Sequence, residues 1–572
     1  MSLDLFNSIR VPKLGYSSFN LGHNVKVTGD IGELIPILCE PTLPGDVWKI
    51  SSNALVRFAP LIAPIMSNVN VYLHYFFVPN RLLWDGWKDF ITGSDQSSRG
   101  PGGELVPSPP PVYPRIGFSS SDFASDVPYG SEAMKSAVCY GGLADYLGFA
   151  VQNPNKAGSG QGVGPFFNSS YSFEYDALPF RAYNLIYNEF YRDQYLVPPV
   201  DIRSDVSGVS PARVNYPLLS LKYRSWQKDY FTSALPFAQF GDSVRIPMYG
   251  DAYVEGSFQI PGKDIVFAAN PLLGNTQSHN VQYTEAGKPH LTVDDSDLMA
   301  KVTPTTVNIP NNSIHVDLSG VTTATITELR RALAAQQFAE TEARGGSRYI
   351  EILRSFFGVV SSDASLQRPQ FLGGSKTPVV VSEVLQTSQS TNGADGSPQG
   401  NPAGSAISLG RNGMRTFKCE EHGFIMCIMS VVPKADYMQG MPRKYQKFDR
   451  FDYYWPQFAN IGEQDIKNSE IFWSPGSSNS NEGTFGYAPR YSEYKFIPNR
   501  ICGDFRSSLS HWHMGRFFGN VPKLNESFIR VFPSNFNRVF NVTDSSVDHL
   551  WIEVQHQIKA KRKMPFYGTP KI

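Results

Sequence analysis

Residues 69–78 carry apolar side chains on both alternating sets of positions: Val69, Val71, Leu73, Tyr75 and Phe77 on one, and Tyr72, Phe76 and Val78 beside Asn70 and His74 on the other. Side chains alternate across a strand, so this segment predicts a strand buried on most of both faces, and Pro79, which cannot donate to a ladder, should end it. Near the other end of the chain Leu550, Ile552, Val554, His556 and Ile558 alternate with Trp551, Glu553, Gln555, Gln557 and Lys559. That is period two with one apolar and one polar face. Shorter strands are predicted at 33–39, 379–385 and 424–432. Strands drawn from both ends of a chain must pair over long range, as in sandwiches with Greek-key wiring, and this argues against a string of independent domains.

Helices are few and fall in the connections. Pro179 sets φ for the first turn of a helix over 180–192, where Phe180, Tyr183, Tyr187 and Phe190 recur at helical spacing. A second helix should start at the capping box Thr325-x-x-Glu328, carry Ile326, Leu329 and Leu333 on one face, and end at Gly345 and Gly346. A third, over 347–357, places Ile350, Leu353 and Phe357 together and stops at Gly358. Residues 93–128, 153–164 and 388–410 are rich in Gly, Ser, Pro or Asn, and 250–323 mixes short β-prone pieces with polar turns and the acids Asp294, Asp295 and Asp297. Loops of that length in a compact protein usually carry function.

At 572 residues the chain exceeds one ordinary core, so it should hold several domains or one core with long insertions. Phe (39) and Tyr (28) are abundant, and 42 Pro and 48 Gly are scattered throughout, which favours short strands joined by long ordered loops. Fifty-one Lys and Arg balance 51 Asp and Glu, so attraction to a polyanion has to be local. Five widely spaced cysteines, Cys39, Cys139, Cys419, Cys427 and Cys502, form no Cys-x-x-Cys pair and read as reduced and mostly buried. The N-terminus has neither a basic nor an apolar signal region, and the longest apolar run, 424–432, is about half of what a bilayer needs. The expectation is a soluble protein made in the cytosol.

The signatures of nucleotide enzymes and hydrolases are absent: no Walker loop, no nucleophile elbow, no His-Glu-x-x-His helix. The glycines of 158–164 have no strand running into them and read as a loop tip. His511 and His513 could face a metal from one side of a strand, but no cysteine or second histidine pair is near, so packing is preferred. Glu420-Glu421 and Asp294-Asp295 are adjacent pairs whose members point apart in a strand. No cofactor and no catalytic residue is assigned. Binding chemistry concentrates in a basic C-terminal tail at about 555–572, where Lys559, Lys561, Arg562 and Lys563 follow one another without an acid and precede Phe566 and Tyr567. Cations beside exposed rings hold single-stranded nucleic acid through counterion release and base stacking. A second basic group, Arg443, Lys444, Tyr445, Lys447 and Arg450, reads as a subunit interface or surface.

Particular strings go further. Glu33-Leu-Ile-Pro-Ile, Pro44-Gly-Asp46, Leu55-Val-Arg-Phe-Ala-Pro60 and His74-Tyr-Phe-Phe-Val-Pro-Asn-Arg81 open a series. It continues through Arg181-Ala-Tyr-Asn-Leu-Ile-Tyr-Asn-Glu189, Asp229-Tyr-Phe-Thr-Ser-Ala-Leu-Pro236, Arg348-Tyr-Ile-Glu-Ile-Leu-Arg354, Leu366-Gln-Arg-Pro-Gln-Phe-Leu-Gly-Gly374, Phe485-Gly-Tyr-Ala-Pro-Arg490 and Tyr494-Lys-Phe-Ile-Pro-Asn-Arg500. In order and content the series resembles the major capsid proteins of gokushoviruses, small single-stranded-DNA phages of the family Microviridae. The resemblance implies an all-β fold, an eight-stranded antiparallel viral jelly roll with large loop insertions and a few peripheral helices, forming one capsid protein over 1–572. Sixty copies would form a T=1 icosahedral shell around a circular single-stranded DNA genome, in a virion assembled in the bacterial cytoplasm. Implied partners are a small basic DNA-binding protein, an internal scaffolding protein, a DNA pilot protein and a host-cell receptor. Residues 250–323 look like the insertion that forms threefold protrusions, with Asp294, Asp295 and Asp297 as candidate host-attachment residues. Lys559, Lys561, Arg562, Lys563, Phe566 and Tyr567 are then the candidate interior DNA contacts. The rivals are a non-viral β-sandwich carbohydrate-binding protein and a sandwich glycosidase, the latter disfavoured for want of a carboxylate pair.

Overall fold

The computed structural model describes residues 15–93, 97–99, 105–107, 109–119, 122, 137–151, 173–241, 325–385, 402–414, 416–476, 478–542 and 547–567, and short strand segments between 253 and 317. The chain divides into two compact units, Met1–Ala238 with Glu342–Ile572, and Gln239–Thr341. The stretch 250–323 lies within the second.

In the first unit the strands that build the sandwich are β1 (Ser17–Asn20), β2 (His23–Gly29), β3 (Ile35–Thr42), β4 (Val47–Phe58), β5 (Val69–Pro79), β6 (Gln370–Pro378), β7 (Val380–Leu385), β8 (Pro402–Gly413), β9 (Phe417–Lys418), β10 (Gly423–Pro433) and β11 (Leu550–Arg562). They form two antiparallel sheets. In the seven-stranded sheet β11 pairs with β1, β2 and β4, β4 with β8 and β9, and β8 with β7; the four-stranded sheet runs β6-β5-β10-β3. The fold is all-β with few helices, as its sequence pattern predicts, with eleven strands in these two sheets where eight were expected.

Alternation explains how the sheets meet. The inward set of β4 and β11 (Trp48, Ile50, Ala54, Val56; Ile552, Val554, Ile558, Ala560) packs on the inward set of β5 and β10 (Val71, Leu73, Tyr75, Phe77; Ile425, Cys427, Met429, Val431). The opposite set of the smaller sheet, with Phe76, Val78, Phe424, Met426 and Ile428, is buried in a second core with Phe180, Tyr183 and Ile186 of helix α1 (Ala177–Ile186). The Asp176 carboxylate caps α1, accepting from the Leu178 N–H at 2.9 Å. All eleven residues of β10 are therefore buried, whereas β11 alternates buried with exposed.

One polar chain crosses the sandwich. The Tyr75 hydroxyl donates to Ser52 Oγ at 2.7 Å, Ser52 Oγ lies 2.8 Å from His556 Nδ1, and His556 Nε2 lies 3.1 Å from the Ile37 carbonyl. Burial pushes the His556 imidazole down to about 4, so it is neutral at neutral pH. Every polar group in the chain has a partner, which is the condition for keeping such groups in a core.

Helix α2 (Ile326–Gly345) starts at the predicted capping box: Glu328 N–H donates to Thr325 Oγ1 at 3.2 Å and Thr325 N–H to Glu328 Oε2 at 2.7 Å. Helix α3 (Tyr349–Phe357) ends at Gly358, whose φ of 67° needs no side chain to accommodate. The first helix starts before its predicted span of 180–192, where Asp176 caps it, and its α-helical hydrogen bonding gives way to a π-turn over Tyr187–Tyr191. The strand expected at 511–513 is a 3-10 turn, Ser510–Trp512; His513 Nε2 lies 2.7 Å from the Phe505 carbonyl and its Nδ1 accepts from Gly515 N–H at 3.0 Å. Those bonds engage both ring nitrogens in packing. Within Gln239–Thr341, Tyr253–Ile260 pairs with Lys263–Val266 and Ile314–Asp317, and Pro289–Leu291 pairs with Val281–Tyr283 and Ala300–Lys301. The glycine run 158–164 and Asp294, Asp295 and Asp297 lie outside the described residues.

Candidate nucleic-acid interface

The basic C-terminal residues do not follow the last strand; they are its end. Strand β11 runs to Arg562, pairing residue for residue with β4 from Leu550 opposite Phe58 to Lys561 opposite Val47, and with β1 from Asn20 opposite Lys559 to Ser17 opposite Arg562. The tail expected from about 555 is thus, as far as Arg562, a central strand of the larger sheet. Period-two alternation continues through the cations because buried Ala560 sits between exposed Lys559 and Lys561. A run of basic residues conceals that phase when it is read as composition.

This register assembles a basic patch on the sheet's outer face. Lys559 stands directly across from Lys49 of β4, and both are exposed. Lys561 follows two residues on, and Arg411 of β8, also exposed, lies opposite Asn53 of β4. Among the described residues none of Lys49, Arg411, Lys559, Lys561 and Lys563 has a carboxylate within 4.0 Å. Asn20, His23, Lys49, Arg411, Gln557 and Lys559 line an open groove of about 530 Å³ there. Like charges directly opposite across strands cost stability. Such a pair is relieved when a polyanion lies along it, because each phosphate neutralised releases counterions.

Arg562 belongs to the fold and leaves this set. Its Nε lies 3.1 Å from the carboxylate of buried Asp46, its Nη2 donates to the Pro41 carbonyl at 3.3 Å, and its guanidinium sits 5.1 Å from the Trp48 ring centroid. Phe566 and Tyr567 remain exposed, but they are ordered: Phe566 stacks on Phe19 of β1 with centroids 5.7 Å apart and rings within 8°, and Tyr567 meets it edge-on at 5.0 Å. Lys563 Nζ lies 5.8 Å from the Tyr16 ring. Phe19 stands opposite buried Ala560, so this ring stack sits at the β1 edge on the core-facing side of the sheet, while the ridge of cations runs along the outer face. The cations supply the phosphate contacts by which single strands are held without sequence preference. Sequence reasoning found the β11 half. It missed Lys49, Arg411, Tyr16 and Phe19, which only strand pairing brings in; the signal for Lys49 was its place between buried Trp48 and Ile50.

The second basic group is spent differently. Arg443 lies 3.3 Å from Glu470 and 3.7 Å from Asp465, and Lys447 lies 3.2 Å from Glu493 and 3.8 Å from the Tyr494 ring centroid. Lys444 and Arg450 rest on the rings of Tyr445 and Phe451. Glu421 is paired with Arg81 at 2.7 Å. The five cysteines are free, with Cys139, Cys419 and Cys427 buried, Cys39 partly buried and Cys502 exposed. No group of three His, Cys, Asp or Glu placed to hold a metal, and no helix long and apolar enough to cross a membrane, occurs among the described residues.

A two-sheet β sandwich with an exposed cationic face is a frame for a structural or a binding protein, and comparison with known proteins specifies the kind. The chain belongs to the capsid protein (F protein) family, whose model matches residues 8–129 and 166–572. It is 33% identical to the capsid protein VP1 of Chlamydia phage 1 over 99% of this chain and 97% of that protein. It is 32% identical to capsid protein VP1 of Bdellovibrio phage phiMH2K, over 97% and 95%, and 29% identical to capsid protein VP1 of Spiroplasma virus 4, over 99% and 96%. The gokushovirus resemblance read from ordered strings is borne out. This is a structural, non-enzymatic major capsid protein of the virion that assembles with copies of itself and other virion proteins. Membership sets aside the carbohydrate-binding and glycosidase alternatives.

Proposed function

We propose that sixty copies of this chain form a T=1 icosahedral shell around a circular single-stranded DNA genome, with the outer face of the larger sheet turned toward the DNA. The wiring supports a jelly roll as the building block: β2-β11-β4-β8 faces β3-β10-β5-β6, the order of an eight-stranded jelly roll, with β1, β7 and β9 as short additions. The observation that carries the DNA contact is the pair Lys49 and Lys559, two exposed cations held opposite each other with no carboxylate within 4.0 Å of either among the described residues. In this reading Lys49, Arg411, Lys559, Lys561 and Lys563 neutralise phosphates, Phe566 and Tyr567 stack on bases only where the strand passes round the β1 edge of the sheet, and Arg562 holds the end of β11 in place.

Virions carrying Lys49→Gln, Lys559→Gln, Lys561→Gln and Lys563→Gln together test this. Particles should still form. The log–log salt dependence of DNA retention should shallow by roughly 3, at about 0.7 per phosphate contact with a single strand. Retention that follows the parental salt curve would remove the genome from this face.

The remaining assignments follow the same family logic. Residues 250–323 form a surface protrusion, Asp294, Asp295 and Asp297 belong to a host-receptor contact, and assembly in the bacterial cytoplasm engages a small basic DNA-binding protein, a scaffolding protein and a DNA pilot protein. Shortening 250–323 should leave particle yield intact and reduce attachment to cells; failure of every shortened version to assemble would make the segment structural.

A further inference from the structure

Phe448 to Gln457 is a run of ten consecutive exposed residues, and five of them are aromatic: Phe448, Phe451, Tyr453, Tyr454 and Trp455. Phe448 is 89% exposed, and the others are close to half exposed. Ordered surface segments rarely hold so much apolar area in water unless a partner covers it.

The segment is built to hold its shape. The Asp452 carboxylate accepts from the N–H groups of Phe448 and Asp449, both at 2.9 Å, and Asp449 accepts from Arg450 N–H at 2.6 Å. The Trp455 indole donates internally to the Arg450 carbonyl at 2.8 Å, so its N–H is already paired. Tyr454 packs edge-on against Tyr491 at 5.0 Å, and the Tyr491 hydroxyl accepts from Trp455 N–H at 3.3 Å, which ties the run to the neighbouring exposed side chains Tyr494, Phe496 and Ile497. With the Asp449, Asp452 and Trp455 side chains already bonded within the segment, docking would cost less ordering entropy than closing an unbonded loop.

We infer that residues 448–457 are an anchor by which one subunit docks onto a second copy in the shell, an inference that rests on the shell reading. Two observations select a second copy over nucleic acid. Across 443–500 the sequence has eight Lys and Arg against seven Asp and Glu, so the segment lacks the excess positive charge that holds a polyanion. Arg443 and Lys447 are moreover consumed by Glu470 and Glu493 within the subunit. The exposed rings together with Tyr494, Phe496 and Ile497 offer on the order of 800 Å², which is about what each partner of a standard protein interface buries. Aromatic side chains in rigid surroundings are also the commonest anchors of such interfaces. A shell needs heterologous contacts of this kind, one patch meeting a different patch on the neighbour.

The test uses complete virions in which a photo-cross-linking benzoylphenylalanine replaces Phe448. Irradiation of intact particles should give covalent capsid-protein dimers as the main product. Cross-links to DNA, to another virion protein or only within the subunit would overturn the inference. Phe448→Ser with Trp455→Ser should lower particle yield at least tenfold while the soluble subunit keeps its circular dichroism spectrum; parental yield would overturn the inference. Lys444→Gln with Arg450→Gln should leave both particle yield and DNA content within twofold of the parent, and particles that form normally but lose DNA would reassign the segment to the genome. If the parental chain forms no particles, the shell reading itself falls; if particles form and the cross-link goes elsewhere, only the anchor does.

Discussion

Strands β10 and β11 occupy neighbouring layers of one sandwich and are both long and central, yet they are solved differently. On β10 both faces are apolar because both meet protein: Ile425, Cys427 and Met429 face the opposite sheet, while Phe424, Met426 and Ile428 face the layer that contains α1. On β11 one face meets the core and the other carries Trp551, Gln555, Gln557, Lys559 and Lys561 into solvent. The same alternation of side chains thus yields a structural element in one sheet and a surface available for binding in the other. The difference lies in what covers the second face.

The largest expected effects test whether β10 is indeed buried twice. Ile425→Ala and Met426→Ala point to opposite faces, and each should cost about 2–5 kcal/mol in denaturant unfolding of the subunit. On β11 the faces should separate: Ile552→Ala should cost a similar amount and Gln555→Ala within about 0.5 kcal/mol. Equal costs for Ile552 and Gln555 would mean that the outer face of the larger sheet is covered after all.

A second effect, of about 3 kcal/mol, concerns the polar chain between the sheets. His556 is held neutral down to a pKa of about 4, against about 6.5 when unfolded, so only the unfolded chain takes up this proton between those values. Its contribution is therefore nil above pH 6.5, destabilises progressively as pH falls from 6.5 to 4, and is constant below. Comparing the parent with His556→Gln isolates it, since His74, pushed down to about 4, and Glu33, pushed up to about 8 and opposite in sign, are common to both chains. Parallel stability curves for the two chains between pH 7 and 4 would show that His556 titrates normally.

The smallest effect lies on the open face. Lys49→Gln should raise the stability of the isolated subunit by about 0.2–1 kcal/mol at low salt by removing the repulsion from Lys559, and the gain should vanish in high salt. A gain that persists in molar salt would point to packing and not to charge.

Much of this was legible beforehand. Both long strands, the stop at Pro79, the capping box at Thr325 and the C-cap at Gly358 follow from local alternation and local capping chemistry, which the chain carries in its own order. The helix after Asp176 was legible in type but not in extent, because its tertiary contacts fix where α-helical bonding yields to a π-turn. The pairing of Arg562 was not legible, because charge alone cannot tell a free cation from one facing a buried acid 516 positions earlier, Asp46.

By itself the sequence determined which segments are strands, which of those strands have a polar face, and, through ordered strings, the family of shell proteins to which the chain belongs. The tertiary structure alone decided register: that Lys559 stands opposite Lys49, that Phe566 finds Phe19, and that α1 lies over the smaller sheet and leaves the larger one open. The reason is physical. Alternation and capping are short-range and are written in neighbouring residues, whereas pairing register is set by the mutual burial of strands hundreds of residues apart, where a slip of one position would turn every buried side chain outward.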